Sequence, residues 1–291
     1  MAIAVVTGSS TGIGFATAEA LARAGHDVIA TMREPDRAPA LADLARRDTL
    51  PITVMRMDVD SDTSVSGTIG EVLAARGRID VLVNNAGIAQ LGSIEETPLS
   101  TFREVMETNY FGALRCIHAV LPGMRARKSG LIVNVTSVAG RVASGGQSTY
   151  CASKFALEAV SESLAGEVKA HGIRVAIVEP GVVATPIFGK EKIDAHSAYP
   201  HARRLQALFS ASLERPVPPS VVGDAIRDVV ASDSWTLRYP VGPDALPLLQ
   251  WRASLSDEDW AARGALDDES WCQLMEASTG LNIRKYLSET V

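Results

Sequence analysis

Short apolar runs separated by longer helix-like stretches recur along most of this chain, and that rhythm restricts its architecture more than any other feature. The runs are Ile3–Thr7, Asp27–Thr31, Ile52–Met57, Ile79–Asn84, Gly130–Thr136, Ile173–Glu179 and Leu237–Val241. A strand with one wet face alternates apolar and polar residues. These show little alternation, so both faces of each are expected to be covered. Between them lie helix-like segments near Gly14–Ala24, Asp62–Arg76, Pro98–Arg127, Thr149–His171 and Pro219–Ser232. Strands alternating with helices predict an α/β fold: a doubly wound parallel sheet with right-handed crossovers and helices on both faces. Two regions break the rhythm. Residues 185–217 form a long excursion after the sixth run, and the tail over 242–291 lacks any strand signal. The tail does carry helix-start cues, at Ser256 before Asp257-Glu258-Asp259 and at Asp267-Asp268-Glu269 before Ser270-Trp271. With no internal repeat and no low-complexity linker, residues 1–291 read as one domain with an insertion at 185–217 and a helical extension at 242–291.

Composition narrows the class. The chain has 291 residues, 46% hydrophobic and 21% charged, which is too apolar for disorder. No apolar run is long enough for a membrane-spanning helix. The formal net charge of −6 argues against a nucleic-acid partner, which would call for a basic face. Cys116, Cys151 and Cys272 are far apart and make neither a redox pair nor a metal-ligand spacing, so a reducing cytoplasm is the expected setting and no metal is expected. The N-terminal Met1–Val6 reads as a first buried strand rather than a signal segment.

Residues 7–14 read T-G-S-S-T-G-I-G between the first strand and the first helix. Gly8 permits the tight turn, Gly12 lets backbone approach a pyrophosphate, and Gly14 lets the helix pack closely. The helix N-terminus then offers free N–H groups and a positive dipole end to an anion. The spacing T-G-x-x-x-G-x-G resembles the loop of the short-chain dehydrogenase/reductase family, a Rossmann-type fold. The end of the second strand addresses the nucleotide. Thr31 stands where an NAD site usually has an acid, and Arg33 follows, suited to a 2′-phosphate with Thr11 as a second donor. That reading favours NADP(H). The competing reading takes Glu34 as the ribose acid and NAD(H) as the cofactor.

The chemistry-bearing pattern is Tyr150-Cys151-Ala152-Ser153-Lys154, in which Tyr150 and Lys154 share one face of a helix. A phenol near its ordinary pKa of about 10 is a weak proton carrier at neutrality, and an adjacent ammonium lowers that value. Ser137, ending the fifth run, can hydrogen-bond a carbonyl oxygen that gains charge. Asn84-Asn85-Ala86-Gly87 closes the fourth, and Asn109 sits in a helix where its propensity is poor.

Together these residues resemble the same family, whose tetrad is matched here by Asn109, Ser137, Tyr150 and Lys154. The resemblance spans about residues 2–241 and implies Tyr150 as general acid/base, Ser137 orienting substrate, Lys154 tuning Tyr150 and holding ribose, and Asn109 positioning a relay water. It implies cofactor contacts at Gly8, Ser10, Thr11, Gly12, Ile13, Gly14, Arg33, Asp58, Val59, Asn85, Ala86, Gly87, Tyr150, Lys154, Pro180, Gly181, Val183 and Thr185, with Asp58 at the adenine. Substrate candidates are Val138, Ala139, Arg141, Val142 and Gln147, with Ile88, Gln90 and Leu91 after the fourth strand. The 185–217 excursion sits where the family places its lid; it brings Ile187, Phe188, Tyr199, Leu205, Leu208, Phe209 and Leu213, besides His196 and His201.

The expected activity is NADP-dependent interconversion of a hydrophobic ketone or aldehyde and its alcohol. An NAD-dependent alcohol dehydrogenase, a 3-oxoacyl reductase and an NADP-binding regulatory protein are the alternatives. The second-strand end and the long tail look like the 17β-hydroxysteroid/retinol dehydrogenase branch. The family also implies a homodimer or homotetramer, built through the helices over about 98–127 and 149–171.

Overall fold

The computed structural model describes residues 1–187 and 197–288. All seven expected strands form: β1 (Ile3–Thr7), β2 (Asp27–Met32), β3 (Ile52–Arg56), β4 (Val81–Asn84), β5 (Gly130–Val135), β6 (Ile173–Pro180) and β7 (Arg238–Val241). They pair in parallel in the order β3-β2-β1-β4-β5-β6-β7. The order reverses between β1 and β4, so the loops leaving their carboxyl ends part and open a crevice there.

The lack of alternation has its explanation in two cores. Ala4, Val6, Val28, Ala30 and Val83 face one side, under Leu21 of α1 (Gly12–Arg23), Leu41 of α2 (Ala40–Arg47) and Ile226 of α8 (Pro219–Ala231). Ile3, Val5, Ile29 and Leu82 face the other, under Ile69 of α3 (Asp62–Arg76), Ile117 of α5 (Gly112–Arg127) and Leu164 of α6 (Ser148–Val168). Each fully buried aliphatic side chain contributes about 1.5–3 kcal/mol relative to exposure.

Two expectations change. The stretch Pro98–Arg127, read as a single helix, is α4 (Leu99–Met106), a π turn over Glu107–Phe111, and then α5. The excursion after β6 contains a further helix, α7 (His201–Ser212), and α2 likewise lies where no helix was expected. Phe188 and His196 lie outside the described residues.

The tail folds as α9 (Ala245–Ala253), α10 (Asp257–Ala262), α11 (Asp268–Thr279) and α12 (Arg284–Ser288). Both helix-start cues act as such: Ser256 Oγ accepts from the Asp259 N–H, and Asp267 Oδ1 from the Ser270 N–H. The tail packs on its own chain. Trp271, Met275 and Ile283 join Ala207 and Ala211 of α7, while Leu249 of α9 meets Val138 and Val142. Among the described residues the three cysteines are buried and unpaired, and no helix is long and apolar enough to cross a membrane.

Candidate active site

The glycine loop is pinned to the crevice from the β4 side. Thr7 Oγ1 accepts the N–H groups of Asn85 and Ala86, each at 3.0 Å, and Asn85 Nδ2 donates to the Thr7 and Gly8 carbonyls at 2.9 and 3.1 Å. Gly14 is required by this arrangement, because a Cβ there would lie 2.3 Å from the Gly8 oxygen. Gly12 has φ +60°, and its missing Cβ keeps the loop close to Thr185.

The resulting cleft of about 400 Å³ is bounded by the glycine loop, Arg33, Asp58, Val59, residues Asn85 to Gly87 and Thr185. Its bare backbone, open helix N-terminus and the Arg33 guanidinium fit a dinucleotide. Most of the expected cofactor residues line it, Ser10, Thr11 and Ile13 among them. Arg33 is exposed and makes no ion pair among the described residues. Thr31 points into the sheet, donating to the Val6 carbonyl at 3.2 Å, and Glu34 lies away from the cleft, paired with Arg37 at 2.9 Å.

Three of the expected contacts are placed differently. Val183 packs in the core beside Val178 and Val222, and Gly181 borders the neighbouring cavity rather than the cleft. The Pro180 carbonyl accepts a hydrogen bond from Ser137 Oγ at 3.3 Å. Sequence reasoning passed over Asp60 and Thr108, which do line the cleft. Thr108 Oγ1 donates to Asp60 Oδ2 at 3.0 Å, while Asp60 Oδ1 is buried without a partner and burial raises the carboxyl's pKa. The available signal was the acidic pair flanking Val59.

The four tetrad candidates converge at the junction of the cleft with a second cavity. Tyr150 is buried and lines that cavity with Ser137, whose hydroxyl hydrogen-bonds it. Lys154 Nζ lies 5.6 Å from the Tyr150 ring centroid and donates to the Val135 carbonyl at 2.9 Å. It also sits beneath Gly87, 3.7 Å from where a Cβ would be. Asn109 occupies the π turn, whose wider backbone sets its amide against the β4 loop. Its Oδ1 accepts the Ile88 N–H at 2.8 Å, and Nδ2 donates to the Ile88 carbonyl and Ser153 Oγ, each at 2.9 Å.

Burial sets the protonation here. It pushes the Tyr150 phenol up to about 12, against the lowering expected from an ammonium neighbour, with the Ser137 hydrogen bond opposing it. It brings Lys154 down to about 8, with Glu158 opposing. Desolvation penalises both charged forms more than the local partners favour them.

The second cavity, about 410 Å³, is lined by Ser137 and Tyr150 and by residues of the C-terminal helices. Val138, Ala139, Gln147, His201, Leu205, Leu208 and Phe209 line it. Arg141 and Val142 do not: they border a separate surface groove with Phe155 and Leu249, and Arg141 reaches the buried Glu179 at 3.5 Å. The short turn after Ser137 carries them past the cavity. Ile88, Gln90 and Ile187 border the cleft instead, and Tyr199 is exposed and bonds Glu95. Trp251, Trp260, Arg263, Trp271 and Met275 form walls that periodicity alone left unassigned.

A family model described as short chain dehydrogenase matches residues 2–195. The uncharacterized oxidoreductase YusZ of Bacillus subtilis is 34% identical over 268 residues, covering 89% of this chain and 95% of its own. Human retinol dehydrogenase 8 is 40% identical over 199 residues, 64% of this chain and 60% of its own. Among solved structures, a short-chain dehydrogenase from Streptomyces avermitilis superposes with a TM-score of 0.77 at 38% identity, covering 90% of this chain and 97% of that one. An alcohol dehydrogenase from Thermococcus sibiricus, complexed with 5-hydroxy-NADP, gives 0.70 at 26% identity over 82% of this chain and 95% of that one.

Proposed function

Because this chain belongs to the short-chain dehydrogenase/reductase family of NAD(P)-dependent oxidoreductases, we propose that it reduces a hydrophobic ketone or aldehyde with NADPH, or runs the reverse oxidation. The observation that carries this reading is the junction just described. Tyr150 and Ser137 face the apolar cavity while Lys154 lies against Gly87 on the floor of the cleft. Proton donor and cofactor floor thus meet where two binding spaces adjoin.

The nicotinamide nucleotide, when bound, supplies or accepts the hydride. Ser137 Oγ holds the carbonyl oxygen and stabilises the charge that develops on it, a contribution of about 2–4 kcal/mol for donors of this kind. Tyr150, kept neutral by burial, is in the right form to donate a proton to that oxygen. Lys154 braces the Tyr150 side and offers its remaining donors to the ribose. Asn109 holds Ile88, and with it the backbone flanking the cofactor.

Arg33 supports NADP(H) as the preferred cofactor, since it stands unpaired at the rim while Glu34 is turned away. The NADP ligand of the Thermococcus sibiricus neighbour agrees with that reading. We assign residues 185–217 the role of a lid and 242–291 that of a cavity wall. Exposed Leu99, Phe111 and Phe155 on the helical face over α4 to α6 support self-association as a homodimer or homotetramer.

The test is NADPH consumption across a panel of hydrophobic ketones, with Tyr150→Phe alongside. Turnover is expected in the wild type and to fall roughly 10²–10⁴-fold in the variant, with nucleotide binding retained. A folded wild type that binds NADPH yet turns over no ketone would move the assignment to a regulatory nucleotide-binding role.

A further inference from the structure

The cavity wall is largely apolar, yet the part built from the C-terminal helices carries Arg263, whose charge no ion pair among the described residues answers. Arg263 lies between two indoles, its guanidinium carbon 4.0 Å from the Trp251 centroid and 4.1 Å from that of Trp260. It makes no ion pair among the described residues. Its Nη2 reaches only Met275 Sδ, at 3.8 Å, and its Nε is buried without a partner. Arg204 is 4% exposed. Asp268 Oδ1 and the Leu266 carbonyl take its Nε and Nη2, each at 2.8 Å, but Nη1 is buried and unpartnered. Both arginines line the cavity.

Three neighbouring acids are engaged. Asp268 is shared by Arg203 and Arg204, Asp257 pairs with Arg252, and Asp267 caps α11. Asp244 also lines the cavity and lies against Gly181; its Oδ2 accepts the Val182 N–H at 2.8 Å, while its Oδ1 is buried without a hydrogen-bond partner among the described residues. That places it beside Ser137, which bonds the adjacent Pro180 carbonyl.

A guanidinium with both faces covered by aromatic rings has its donors left at the edge, and buried N–H groups without acceptors are costly. A planar anion is the ligand suited to the edge of a guanidinium in such a cavity, through charge-assisted hydrogen bonds. We propose that the substrate is an apolar oxo acid. Its carboxylate is held by Arg263 and Arg204 under the C-terminal helices, and its carbonyl lies against Ser137 and Tyr150. This deepens the function proposed above and rests on the cavity being the substrate site.

Binding can be read without turnover, because Trp251, Trp260 and Trp271 line the cavity and report through their fluorescence. With NADPH-free protein, decanoate is expected to bind roughly ten- to hundredfold more tightly than methyl decanoate. Arg263→Met should abolish that preference, and Arg263→Lys, which keeps the charge but not the fork, should retain part of it. Melting curves establish that each variant is folded. In turnover, the ratio of kcat/KM for a benzoylbutyrate to that for its methyl ester should fall roughly ten- to hundredfold in Arg263→Met. The preference for acid over ester should persist in Tyr150→Phe, so failure of the chemistry and failure of this inference are separable. Equal affinity for acid and ester, no quenching by either, or a full preference surviving Arg263→Met would overturn the proposal.

Discussion

A guanidinium at the rim of the cleft can form charge-assisted hydrogen bonds with a 2′-phosphate, whereas a 2′-hydroxyl offers it no anionic partner. Replacing Arg33 by Ala is therefore expected to lower kcat/KM for NADPH roughly ten- to hundredfold and leave that for NADH nearly unchanged. Comparing the two nucleotides in wild type and variant checks this, and a parallel loss for both would reject the phosphate-binding role. Lys154 carries a different consequence. Its folded pKa of about 8 lies below the ordinary 10.5, so between those values the unfolded chain binds a proton that the folded chain does not. Stability must then rise with pH across that window. Tyr150, raised from 10.0 to about 12, acts oppositely and only above pH 10, where the unfolded chain loses a proton the folded one keeps. In denaturant titrations without nucleotide, Lys154→Met is expected to lose the rise between pH 8 and 10, a difference on the order of 2 kcal/mol. Identical pH slopes for the two proteins would refute that account.

At the scale of elements, the sequence reveals what is periodic and hides what is short or irregular. The seven strands and α3 follow from apolar runs and turn signals, and α3 occupies the expected Asp62–Arg76. The π turn could not be read from periodicity, because one extra residue per turn leaves an apolar stripe nearly unchanged while re-aiming Asn109 at Ile88. Helix α2, eight residues long, is too brief to establish a period, and its Leu41 and Leu44 gain their burial from the sheet. The C-terminal helices depend on their caps. Ser256→Ala and Asp267→Ala are each expected to cost about 1 kcal/mol, released locally. Hydrogen exchange should therefore quicken over α10 and α11 while the β1 to β6 core keeps its protection. Uniform acceleration across the chain would show instead that the tail and core unfold together.

Across the whole molecule, the body built on the sheet leaves large apolar side chains in water at Leu99, Phe111 and Phe155. A second copy of the chain is the proposed cover. Phe155→Glu would place a charge in that contact and is expected to shift the protein to monomer in light scattering, with its melting temperature lowered. A wild type that is already monomeric would remove this interface.

The glycine loop and the Tyr150–Lys154 pair were legible in the sequence because each rests on spacing within a few residues, and the doubly wound sheet because apolar runs and helical stretches alternate along most of the chain. The meeting of Ser137 with Tyr150 also follows from neighbouring segments. What tertiary structure decided is the identity of the cavity wall. Trp251, Trp260, Arg263 and Trp271 come to lie over Ser137 only when the tail folds back on α7 and the turn after β5. That placement comes from long-range packing of apolar faces, which no local pattern encodes. The same packing leaves Arg263 between two indoles without an ion pair among the described residues.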